Sequence, residues 1–128
     1  MRGIVAGGAL LCVIAQAASA QVDGVTARCM ADGTPEDICL CATVIITETE
    51  TSDDIAIFSA HGQVARELIS GGAGSLAVAE GSLHDTANMF EMEMEDVRGV
   101  IGRLTGAQTL AIETCTTQAE AEAAAQGG

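Results

Sequence analysis

The chain contains no tryptophan, no tyrosine and no lysine, and it has one proline and two phenylalanines, Phe58 and Phe90. Without aromatic rings a core must be built from Ile, Leu, Val, Met and Ala, which bury less area per residue. Covalent cross-links then carry more of the stability than they would in a richer core. Strand-type punctuation is almost absent, which argues against a sheet. Cations are scarce too: five arginines face 18 acidic side chains, for a formal charge of −13. Such a surface repels phosphate backbones, excluding nucleic acid as a partner, and it disfavours anionic lipid headgroups. No HExxH pair, nucleophile elbow or glycine-rich phosphate loop is present. The chain is therefore expected to use no cofactor, to have no catalytic residue and not to be an enzyme.

The first twenty residues carry an export pattern. Met1 and Arg2 give a positive start, an apolar run follows from Ile4 to Ala15, and Ala18-Ser19-Ala20 supplies the small residues a signal peptidase reads. The expectation is a signal peptide over 1–20, cleaved before Gln21, and a periplasmic or secreted location without stable membrane association. An uncleaved anchor is the rival, but the run is short and rich in Gly and Ala for a span of roughly 20 buried residues. A lipoprotein signal at Cys12 is disfavoured by the bulky Leu11 before it. The remainder, 21–128, is long enough for one domain and too short for two. It keeps four arginines and all 18 acids, a formal −14.

Helical periodicity dominates that remainder. A first helix is expected over Val22 to Ala31, stopped by Asp32-Gly33. Thr34 as N-cap and Pro35 in the first turn open a second, reaching about Glu48. Thr51-Ser52-Asp53-Asp54 caps a third over about Asp53 to Ser70, with Ile55, Phe58, Gly62, Ala65 and Ile69 on its apolar face, and Gly71-Gly72 ends it. Residues 71–82 read as one long flexible connection. Ser82 with Asp85 resembles a capping box for a fourth helix. Along it Leu83, Ala87, Phe90, Met94, Val97, Ile101 and Leu104 recur at alternating spacings of four and three, a seam suited to packing along another helix. Thr105-Gly106 is expected to break the chain before a fifth helix, and the Ala/Glu/Gln tail 119–128 to fray. The fold class is thus all-α, a small disulfide-stapled bundle of four to five helices.

Four cysteines remain after cleavage: Cys29, Cys39, Cys41 and Cys115. An even number in an exported chain reads as two disulfides. Cys39 and Cys41 lie about 200° apart around one helix and do not easily bond to each other. Cys41 shares a face with Ile38, Ala42 and Ile45, toward the bundle, whereas Cys39 looks toward the returning first helix. The favoured pairing is Cys29–Cys39 with Cys41–Cys115; the swapped pairing stays open. A redox role for Cys39 and Cys41 is opposed by Glu36 and Asp37 in the same turn, which disfavour a thiolate. A four-cysteine zinc site lacks a second pair at ligand spacing.

The order Cys29-x9-Cys39-x-Cys41, a helical middle and a lone Cys115 resembles small, mostly uncharacterised secreted helical proteins of Gram-negative bacteria. The resemblance implies a periplasmic setting and no activity. The Cys-x9-Cys spacing also looks like half of a twin Cys-x9-Cys hairpin, whose second half is missing here.

His84, Met92 and Asp96, with Asn88 between them, form a stripe at four-residue spacing whose imidazole and thioether suit copper. On this reading Met94 is core and Met92 is a surface residue among glutamates. His61 falls on the third helix's apolar face, where a histidine is more often packed and hydrogen-bonded than basic. The leading expectation is a non-catalytic periplasmic structural or protein-interaction module, with an apolar patch beside 71–82 as its mark. A metal (copper) or thiol-redox accessory protein is the alternative, and an acid-stress envelope chaperone, whose charge collapses on acidification, is the third.

Overall fold

The computed structural model describes residues 22–127; the export segment and its cleavage site lie outside them. The described residues form five helices and no strand: α1 (22–31), α2 (Glu36–Thr49), α3 (Ser52–Ser70), α4 (Ser75–Phe90) and α5 (Met94–Gly127). No helix among them is long and apolar enough to cross a membrane.

Local chemistry sets most of the helix ends. Gly33, at φ +91°, turns the chain after α1. Thr34 does not cap α2: Pro35 holds the cap position, and no side chain bonds to the open amides there. Thr51 does cap α3, its hydroxyl accepting from the Asp54 amide at 3.2 Å. At the far end of α3, Gly72 takes a left-handed φ of +87° while the Ala73 amide donates back to Leu68 O.

The expected long connection is not there. Only residues 71–74 link α3 to α4, and the helix begins at Ser75 behind Gly74. Ser82 is therefore not an N-cap but lies in the middle of α4. Gly81, which suggests a loop in sequence, has a packing reason: a Cβ there would sit 3.2 Å from Leu68 Cδ1 of α3. Its bare backbone lets the two helices approach closely.

The expected fourth helix is also two helices. Glu91 enters the left-handed region at φ 51°, the Met92 amide donates to Ala87 O at 2.9 Å, and the chain turns before Met94. This is a helix-ending motif that glycine usually serves, with Met92 packing on the core beside Ala87. Met92 is thus half-buried, whereas Met94 is 36% exposed, the reverse of the expectation for the two methionines. The seam survives by folding on itself. Leu83, Ala87 and Phe90 of α4 meet Val97, Ile101 and Leu104 of α5 in one cluster, which Val25, Ile46, Ile55, Ile57 and Phe58 complete.

No break occurs at Thr105-Gly106. Helix α5 runs unbroken for 34 residues, about 51 Å at the helical rise. Packing on both sides outweighs the roughly 1 kcal/mol that a glycine costs in a helix. The tail expected to fray stays helical through Gly127, as its alanines, glutamates and glutamines favour, with residues 120–127 exposed. The C-terminal half of α5 lies on α2 around a second, smaller core of Ala42, Ala111 and Cys115, flanked by Ile38, Ile45 and Ile112.

Two disulfides join these elements. Cys29 of α1 bonds Cys39 of α2, and Cys41 of α2 bonds Cys115 of α5, with Cα separations of 5.7 and 6.1 Å. Beside the first, the buried Thr43 hydroxyl donates to Cys39 O and lies 2.9 Å from the Thr26 hydroxyl. Gln108 donates its amide to Val25 O at 3.2 Å, tying α5 to α1.

Candidate functional site

The candidate site is a groove along the seam between α3 and α5. On its α4 side lies a cavity of about 720 Å³, within the roughly 300–1,000 Å³ of small-molecule sites. Ala65 and Ile69 of α3, Val78 and Leu83 of α4, and Ile101 and Gly102 of α5 form most of its wall. Ile69 is 61% exposed at its rim. Ile69 stands in the last turn of α3, next to the 71–74 link. Helix α1 borders a second recess on the other side, which shares His61, Ala65 and Ile69 with the first and adds Arg28, Arg66, Thr105 and Gln108.

His61 stands where the two recesses meet. Arg28 Nη1 lies 3.0 Å from its Nδ1, and a guanidinium can only donate. Nδ1 therefore accepts, the ring proton sits on Nε2, and Nε2 donates to Ser82 Oγ at 3.1 Å. The Ser82 hydroxyl in turn donates a hydrogen bond to Ala79 O at 3.3 Å. Burial, and secondarily the Arg28 charge, lowers the His61 pKa to about 4, so the ring is neutral near pH 7. The pair superficially resembles a serine and its base, but the polarity is wrong. An activating histidine must accept from the serine, and this one donates to it.

Arg28 is fixed from several sides. Its guanidinium carbon lies 4.2 Å from the centroid of the buried Phe58 ring, a cation–π contact. Burial lowers its pKa, with Asp32 acting to raise it and Arg66 to lower it further. The reason Arg28 and Arg66 come together is Gly62. The point where a Cβ would stand is 3.2 Å from Nη1 of Arg28 and 3.2 Å from Nη1 of Arg66. Arg98 borders the apolar cavity from α5.

The copper stripe is not assembled as a stripe, because the turn at 91–93 separates its members. His84 is on α4, Met92 is in the turn against the core, and Asp96 is exposed in the first turn of α5. His84 lies 3.4 Å from Asn88 Nδ2 and shares a shallow recess with Glu80, Met94 and Arg98. No group of three or more His, Cys, Asp or Glu among the described residues is placed to hold a metal ion. The four cysteines among the described residues are bonded in pairs. Sequence reasoning found His61 as a packed histidine but missed Ser82, Arg28 and Arg66 as its surroundings. They lie 21, 33 and five positions from His61, and the one local signal is the four-residue spacing of Gly62 and Arg66 on α3.

No family model matches the chain, and neither a curated protein nor a solved structure does so.

Proposed function

We propose that this chain is a non-catalytic exported module, periplasmic in a Gram-negative cell, that works by binding a partner in the groove between α3, α4 and α5. The observation that carries the reading is the apolar cavity of about 720 Å³ opening beside the exposed Ile69, at the 71–74 turn. Open apolar surface on a chain this acidic marks a place of contact. The reversed polarity of the His61–Ser82 pair speaks for binding over chemistry. The export pattern at 1–20 and the two disulfides support an oxidising compartment. A copper or thiol-redox accessory role has less behind it, since the cysteines are paired and Met92 faces the core.

Native mass measurement on the chain purified from a Gram-negative periplasm tests the reading. The expected species begins at Gln21, takes up no alkylating reagent, and carries a companion molecule or protein that denaturant releases. A bare chain with alkylatable thiols, or one carrying a metal ion, overturns it.

A further inference from the structure

Charge on this molecule is distributed in a way its composition does not require. Eighteen carboxylates are available to four described arginines, yet only Arg103 has found one, Asp54. Arg28, Arg66 and Arg98 have no carboxylate oxygen within 4.0 Å among the described residues. All three border the same groove. Asp32 also borders it, but does not close on either guanidinium. Two guanidinium groups are held side by side over Gly62, one of them stacked on Phe58 and bonded to His61. Asp32 acts on Arg28 from beyond 4.0 Å without touching either guanidinium, so both forks keep donors that an anion in contact would take.

We propose that this pair is the head-group site of a small anionic amphiphile, a medium-length alkyl carboxylate, whose tail fills the apolar cavity. The inference rests on the binding reading above and names its ligand. Paired guanidinium forks suit a carboxylate held through two oxygens. The apolar wall of Ala65, Ile69, Val78, Leu83 and Ile101 starts where that head group would end, because Ala65 and Ile69 line both recesses. A single negative charge fits better than a dianion such as an alkyl phosphate, since residues 21–128, at a formal −14 overall, repel the second charge. The α3 residues from His61 to Ile69 span about 12 Å at the helical rise, which suits a chain of about ten carbons.

Calorimetric titration of the disulfide-bonded chain with decanoate, 1-decanol and acetate separates head from tail. Decanoate is expected to bind, decanol about tenfold more weakly or worse, and acetate without measurable heat. Arg66 donates no hydrogen bond among the described residues and only repels Arg28, so Arg66→Gln keeps the fold without lowering the melting temperature. It should weaken decanoate about tenfold and leave decanol as it was. Equal affinities for decanoate and decanol, both indifferent to Arg66→Gln, overturn the anion site while leaving an apolar binding groove standing. Binding of neither ligand overturns the inference altogether, and the native mass measurement then decides separately whether the groove serves a protein partner.

Discussion

Helix α2 is cross-linked on both sides, to α1 through Cys39 and to the C-terminal half of α5 through Cys41, with small side chains such as Ala42 and Ala111 beside the second bond. Where α3 and α4 meet the N-terminal half of α5, the core is larger, with Phe58, Val97 and Leu104, and no covalent bond crosses it. The apolar cavity lies at this second end, and only the Arg28 side of the groove adjoins a cross-linked residue, Cys29. A cross-linked region resists opening whatever its packing, whereas a region held by packing alone can adjust around a guest. The contrast places rigidity and adaptability at opposite ends of one long helix.

Removing the longer cross-link gives the largest effect. In the chain-entropy model the 74-residue separation is worth about 4.5 kcal/mol, against about 2.8 kcal/mol for the shorter one, both upper-end values. Cys41→Ala with Cys115→Ala should lower the melting temperature by roughly 15 °C or more. A fall of only a couple of degrees breaks the contrast, because the small second core would then be holding by itself.

Leu104→Ala is the matching change at the packed end. Leu104 is fully buried, and its loss should cost about 3 kcal/mol in denaturant unfolding. Amide exchange should rise more in α3 and α4 than in α2. Uniform loss of protection would mean that the two ends unfold as one unit.

Acidification should also act on the packed end. The His61 pKa is about 4 in the folded chain and near 6.5 in an unfolded one, so the unfolded state binds more protons between these values. Stability contributed by neutral His61 is present above about pH 6.5 and falls as pH drops toward 4. His61→Gln, which keeps a donor for Ser82, should flatten the melting temperature across this window. An unchanged slope assigns the acid sensitivity elsewhere.

The smallest change is a gain. Glu91 holds a left-handed conformation and places a negative charge at the C-terminus of α4. Glu91→Gly should stabilise the chain by roughly 0.5–1 kcal/mol, read as a higher denaturation midpoint. A loss would show that the carboxylate makes an offsetting contact in solution.

Legibility in the sequence followed range. The Thr51 cap and the Gly71-Gly72 stop were readable because each is a local steric or hydrogen-bonding matter. The turn at Glu91 was not, since a non-glycine in the left-handed region leaves no sign, and a three-residue link preserves the heptad spacing across the gap. Gly81 and Gly106 misled in the opposite direction. Each looks like a breaker, yet α4 accommodates the first against Leu68 and α5 runs through the second. The seam from Leu83 to Leu104 is core at every position but Met94, and it belongs to two helices where its spacing suggests one.

By itself the sequence determined an all-α fold, an aliphatic core and a strongly acidic surface, because periodicity, caps and charge count are properties of neighbouring residues. Only the tertiary structure decided that the seam packs on its own second half, that His61 donates to Ser82, and that Arg28 and Arg66 meet over Gly62 with no carboxylate oxygen within 4.0 Å of them among the described residues. Those outcomes depend on how five helices dock. Docking is set by contacts between residues tens of positions apart, which no local pattern records.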